Sequence, residues 1–153
     1  MSFEERLAEL GMELPPTPAP LASYIPVVVS GTLAFVAGQV PLSEGKALAT
    51  GKLGAELDIE AGAGLARRCA LQALSALKAE LGSLERIRRI VKLTVFVASA
   101  PGFTDQPKVA NGASDLLGDL FGEMGRHARS AVGVAELPLG VPVEVEVVAE
   151  ITP

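Results

Sequence analysis

The stretch that most limits what this chain can fold into lies near its end. Ala128 to Pro138, and then Gly140 to Ile151, are rich in Val and Ala with polar residues at period two. This pattern predicts two strands around a short turn, Leu137-Pro138-Leu139-Gly140. Side chains alternate across a strand, so Val143, Val145 and Val147 point one way while Glu144 and Glu146 point the other. Arg129 opens the first strand and Glu144 sits inside the second. If the two strands lie close in one sheet, this arginine and this carboxylate border one cavity.

The rest of the chain supplies elements that fit such a sheet. Residues 2–10 predict a short helix capped by Ser2 and stopped by Gly11. Four prolines between 12 and 23 predict an extended arm across the surface. Ile25 to Val29 and Leu33 to Ala37 read as a hairpin about a Ser30-Gly31 turn, with Gly38-Gln39-Val40-Pro41 ending its second strand. Residues 42–57 read as a loop with room for one short extra strand. Asp58 and Gly82 bracket a helix over 59–81, whose stripe is Leu65, Cys69, Leu74, Leu77 and Leu81. Ile87 to Val97 predicts a long strand apolar enough for burial on both faces or at an interface. A second helix spans 104–124 with Val109, Ala113, Leu116, Leu117, Leu120, Phe121 and Met124 inward. The order β-β-α-β-α-β-β predicts an α+β two-layer sandwich, both long helices on one face of the sheet. The other face has nothing in the chain to cover it, so copies of the chain are expected to share it.

Bulk properties narrow the partners. The 153 residues match one domain, an N-terminal arm over 1–23 and a core over 24–151. Net charge is −5, without the basic footprint of a nucleic-acid or anionic-lipid binder. Arg67-Arg68 and Arg86-Ile87-Arg88-Arg89 have acidic neighbours and read as solvated edges. No apolar run reaches the roughly 20 residues that span a bilayer, and Met1 to Arg6 lacks the order of a signal peptide. With a single cysteine there is no intrachain disulfide and no cysteine-based metal framework. A cytoplasmic location is the expectation.

Few side chains here carry chemistry. Arg129 offers a fork of donors matched to a carboxylate, or else pairs with Glu144 or Glu146 within the sheet. Glu144, if partly desolvated, is able to position or deprotonate a water; otherwise it belongs to a solvated face. Cys69 reads as core, and His127, the lone histidine, has no ligand-spaced partner to suggest a metal site or a catalytic triad. Gly31 and Gly38 read as turn glycines.

Taken in order, these residues resemble a known family. Arg129-Ser130-Ala131-Val132-Gly133-Val134-Ala135-Glu136-Leu137-Pro138 followed by Val141-Pro142-Val143-Glu144-Val145-Glu146 is similar to the C-terminal signature of the Rid proteins, the reactive enamine/imine deaminases, also called the YjgF or L-PSP endoribonuclease-like family. Ala37-Gly38-Gln39-Val40-Pro41, Val91 to Val97 and the Asn111-bearing helix agree in order and spacing, over residues 24–151. The resemblance implies a chorismate-mutase-like fold with a six-stranded-type sheet. It further implies a homotrimer whose sheets line a central barrel, with clefts between subunits. It implies hydrolysis of 2-aminoacrylate and related 2-imino acids to 2-keto acids and ammonia without metal or organic cofactor. By the same resemblance Arg129 grips the substrate carboxylate, Glu144 positions water, Tyr24 and Asn111 line the cleft, and backbone near Gly38 and Ala131 completes it. Ala131 stands where many deaminating members have Cys and Ala37 where many have Ser; with the long arm, this implies a divergent subgroup.

The leading expectation is therefore an imine/enamine deaminase acting on a small carboxylate, with no nucleic-acid or membrane partner. The alternatives are a non-catalytic trimer that binds a carboxylate metabolite and, third, an endoribonuclease, against which the acidic charge and the lack of a basic aromatic groove count. A chorismate mutase reading rests on fold resemblance alone.

Overall fold

A computed structural model describes residues 1–17 and 23–153. Its elements are α1 (Phe3–Glu9), β1 (Val27–Ser30), β2 (Leu33–Gln39), β3 (Leu42–Ser43), β4 (Lys46–Ala47), α2 (Ile59–Leu81), β5 (Ile87–Ala98), α3 (Gln106–Phe121), β6 (Ala128–Val134) and β7 (Val143–Ile151). The core sheet has five strands in the order β1-β2-β7-β5-β6, and β3 and β4 form a separate two-stranded ribbon. The six-stranded-type sheet expected above is thus corrected to five. Only the β5–β6 pair is parallel, so the sheet is mixed and open rather than closed on itself.

The sheet order overturns one reading. The final two strands are not neighbours, because β5 lies between them. A short turn suggested a hairpin, but Leu139 at φ 60° redirects the chain and β6 pairs in parallel with β5 instead. The pairings Leu93↔Arg129 and Phe96↔Glu144 then decide the faces. Leu93 and Phe96 are three residues apart on β5, so Arg129 and Glu144 lie on opposite faces of the sheet. Two strand spacings and three residues of rise put their backbones about 14 Å apart. The cavity that one chain was expected to build from both is absent.

α2 and α3 cover the face that carries Val143, Val145, Val147, Leu93, Val95 and Val97, all fully buried. On the opposite face Phe35 is 44% and Val132 is 42% exposed. Val28, Phe96, Glu144 and Glu146 share it by register. β5 is therefore buried on one face only within a chain. The hairpin turn is Gly31-Thr32, since Ser30 pairs with Leu33, and Gly31 at φ 63° takes the position a side chain resists. Near the end of β2, Val36 pairs with Val147 and Gln39 with Val145. Three steps on β2 thus span two on β7, a bulge that contains Ala37 and Gly38.

Local signals explain most boundaries. Asp58 Oδ1 accepts from Ala61 N–H at 2.8 Å, and Gly82 at φ 84° ends α2. Ser2 and Glu5 close a reciprocal capping box on α1. α1 docks through the Phe3–Phe121 pair, edge to face at 4.6 Å, and through Arg6 Nε to the Asp119 carbonyl at 3.2 Å. The described part of the arm is pinned where Ser75 Oγ donates to the Pro15 carbonyl at 2.6 Å; residues 18–22 of that predicted arm lie outside the described residues. α3 stops at Phe121, earlier than its apolar stripe suggested. Gly122 at φ 60° breaks it into a 3₁₀ turn, and Met124, expected inward, is exposed.

The two long helices touch backbone to backbone at one point. A Cβ on Gly112 would overlap the Ala63 carbonyl, and backbone cannot swing aside as a long side chain does. Gly112→Ala is expected to lower stability by about 3 kcal/mol, read as a lower urea midpoint at unchanged slope.

Candidate functional site

Arg129 stands on β6, an edge strand, and its side chain turns toward α3. One terminal nitrogen, Nη1, donates to Asn111 Oδ1 at 2.8 Å and to Ser114 Oγ at 3.1 Å. Nη1 carries two hydrogens, so both are engaged. Among the described residues the Nε–H and Nη2 edge has no hydrogen-bond partner, and such an edge suits side-on capture of a carboxylate. Of the two readings left open for Arg129, the pairing within the sheet is not seen: Arg129 forms no ion pair with Glu144 or Glu146 among the described residues. Behind it stands a residue the sequence did not connect. His127 Nε2 lies 2.9 Å from Ser114 Oγ, and its Nδ1 lies 2.6 Å from the Gly125 carbonyl.

Glu144 projects from β7 on the opposite face, over the β2 bulge. A Cβ on Gly38 would overlap its Oε2, so the glycine leaves the space that the carboxylate occupies. Burial, and secondarily the charge of Glu146, raise the Glu144 carboxyl above its usual value. A half-buried carboxylate with a raised pKa is suited to holding and exchanging a proton with water. Gly38→Ala displaces the end of a flexible side chain rather than backbone. It is expected to leave the melting temperature near that of the native chain while moving the Glu144 carboxylate, checked by calorimetry beside the turnover assay described below.

These two centres sit in a fold that other proteins share. A family model described as "YjgF/chorismate_mutase-like, putative endoribonuclease" matches residues 4–151. The chain belongs to the YjgF/Rid family. Protein TCP17 of Trypanosoma cruzi is 51% identical over 146 residues, covering 95% of this chain and 91% of that one. The crystal structure of Atu1372 from Agrobacterium tumefaciens, of unknown function, superposes with a TM-score of 0.91 at 45% identity, covering 98% of this chain and 92% of that one. A structure from Shewanella oneidensis MR-1 reaches 0.94 at 36% identity, covering 99% and 100%.

The other residues singled out from the sequence of this YjgF/Rid chain are positioned as follows. Asn111 meets Arg129 directly. Ala131 lies two residues along β6 on the same face, partly buried against the core. Tyr24 is 57% exposed just before β1. Ala37 N–H donates to the Pro26 carbonyl at 2.8 Å, so the approach to β1 runs along the Gly38 end of β2, near Glu144 rather than Arg129. Cys69 is core, its thiol pushed far up by burial and further by Glu144.

Sequence reasoning missed a polar clamp behind Gly38. Gln72 Nε2 donates to the Val40 carbonyl at 2.7 Å and toward Gln39 Oε1 at 3.5 Å. Its Oε1 accepts from Leu42 N–H and from Arg68 Nε, both at 3.2 Å. Arg68 also reaches the Leu42 carbonyl at 2.9 Å. This corrects the reading of Arg68 as a solvated edge: it holds the turn after β2, and with it the ground beneath Glu144. Arg86 is likewise structural, bonded to the Leu81 and Thr152 carbonyls at 3.4 and 2.9 Å. The one available signal was a glutamine on the apolar stripe of α2. Among the described residues no three His, Cys, Asp or Glu side chains cluster as metal ligands, and no helix is long and apolar enough to cross a membrane.

Proposed function

We propose that the chain hydrolyses 2-imino acids, and the 2-enamino acids that tautomerise to them, to 2-keto acids and ammonia. The observation that supports the reading is Arg129, pinned through Nη1, with no hydrogen bond from Nε or Nη2 among the described residues. The substrate carboxylate lies along Nε and Nη2, which sets the adjacent C=N carbon at a defined distance from the protein. Water adds to that carbon while Glu144 accepts its proton. That proton passes to the imine nitrogen. As the carbinolamine collapses, its hydroxyl proton moves through Glu144 to the same nitrogen, the C–N bond breaks and the C=O forms, so ammonia leaves and the carboxylate ends as it began. An imine is already electrophilic, so placement of water and substrate supplies most of what the step needs.

Since Arg129 and Glu144 lie on opposite faces of one chain, the site in this reading joins Arg129 of one subunit to Glu144 and Tyr24 of the next, in a homotrimer. The exposed Val28, Phe35 and Val132 on the uncovered sheet face, and the edge position of β6, support such an assembly. Light scattering behind size-exclusion chromatography tests it directly; a 15.7 kDa species at micromolar concentration would defeat the shared-site reading.

The activity is tested in a coupled assay. An amino-acid oxidase generates 2-imino acids from a panel of amino acids, and semicarbazide traps what remains unhydrolysed. Faster loss of imine with the native chain but not with Arg129→Ala supports the deaminase. Equal traces with and without the native chain overturn it.

A further inference from the structure

The carboxylate-binding arginine is not held by its own strand alone, and the hydrogen bonds behind it have a defined direction. The Gly125 carbonyl only accepts, so the 2.6 Å contact puts a proton on His127 Nδ1. In the neutral ring this leaves Nε2 as an acceptor, and its 2.9 Å partner, the Ser114 hydroxyl, must donate to it. The Ser114 oxygen then has its hydrogen turned away and a lone pair facing Arg129, whose Nη1–H donates at 3.1 Å. Asn111 Oδ1 takes the other Nη1 hydrogen at 2.8 Å. Each bond in the series Gly125, His127, Ser114, Arg129 depends on the one before it.

We infer that His127 is a positioning residue: through Ser114 it fixes the rotation of the Arg129 guanidinium, so that the Nε/Nη2 edge, rather than Nη1, faces the ligand. The inference rests on the reading of Arg129 as a carboxylate site for its functional consequence, but not for its structural content. Without an acceptor at Nε2 the Ser114 hydroxyl is free to rotate and point its proton at Arg129. The guanidinium then loses one of two fixed partners and turns about its last bond. His127 itself touches no substrate in this arrangement.

The test uses the full chain and four variants: Ser114→Ala, His127→Leu, His127→Gln and Arg129→Ala. Gln keeps an oxygen able to accept from Ser114, whereas Leu fills the space and accepts nothing. Pyruvate, a stable 2-keto acid, serves as the probe in titration calorimetry. His127→Leu is expected to weaken pyruvate binding on the order of tenfold, as loss of a hydrogen bond to a charged group does. His127→Gln is expected to recover most of that loss, and imine turnover by His127→Leu should show the deficit in KM more than in kcat. A His127→Leu protein that binds as the native chain does overturns the inference, as does a His127→Gln protein as weak as His127→Leu.

A second readout separates this from the parent reading. Nitrogen-15 spectra report the His127 tautomer and the rotation rate of the Arg129 terminal nitrogens. A protonated Nδ1, and guanidinium rotation that is slow in the native chain and fast in His127→Leu, support the inference even if pyruvate fails to bind. In that case only the carboxylate reading falls. Rotation that is equally fast in both proteins overturns the inference whatever pyruvate does.

Discussion

Arg129→Ala is expected to lower kcat/KM for 2-imino acids roughly 30- to 5,000-fold, the equivalent of about 2–5 kcal/mol. Two costs add. The substrate carboxylate loses its fork of donors, and Asn111 and Ser114 lose the cation that both face. Arg129→Lys is expected to rescue little of this. An ammonium has three donors that radiate from one nitrogen, so it cannot hold Asn111 and Ser114 and also offer a carboxylate two parallel N–H bonds. Because the guanidinium lies at the rim of an edge strand, the melting temperature should change little in either variant. Steady-state kinetics beside a thermal melt check both halves. A variant that melts natively and still turns over at the native rate would remove Arg129 from the site.

Glu144→Gln should lower kcat by 10²–10⁴, the usual worth of a positioned acid/base, with KM nearly unchanged because this side chain faces water rather than the carboxylate of the substrate. Its pH behaviour carries a second, opposite expectation. The folded state raises the Glu144 pKa, by burial first and by Glu146 second, so the folded protein holds that proton more tightly than the unfolded chain does. The stabilisation is complete below the ordinary glutamate pKa and is lost as pH rises through the raised one; above that the ionised carboxylate is a burden on the fold. Activity runs the other way, since only the ionised form accepts a proton from water. The rate should therefore climb with pH through a limb displaced above the ordinary glutamate range, while stability falls across the same window. Gln carries no charge, so Glu144→Gln should melt higher than the native chain at neutral pH and lose the limb. A rate limb at the ordinary glutamate pKa, or a variant that melts lower at neutral pH, counts against this account.

What could be read in advance follows from how local each signal is. α2 was legible to the residue because Asp58 and Gly82 act on their own helix ends. The bounds of α3 were less so: its apolar stripe continues to Met124, and nothing in periodicity shows that Gly122 takes a positive φ. The arrangement of the last two strands was misread for a related reason. A four-residue turn between apolar runs suggests a hairpin, whereas insertion of β5 depends on pairing with a segment some forty residues earlier. Asn111 was singled out by family resemblance as a cleft residue; that its Oδ1 accepts from Arg129 was not foreseen. Ser114 and His127 were passed over, because they share neither an element nor a spacing and meet only where β6 begins beside α3. Gln72 was hidden inside the pattern that identified its helix.

The bulge at Ala37 and Gly38 has a consequence for how this site can change over time. One extra residue there shifts the alternation of β2 by a half-period, which lets Gln39 turn inward to Gln72 and leaves Gly38 bare beneath Glu144. Substitutions nearby alter what the carboxylate touches, yet each side chain keeps its face. Removing or adding a single residue would reverse every face from Gln39 onward, sending the clamp to solvent and the turn into the core. The lineage of this site is therefore free to vary in lettering but not in length.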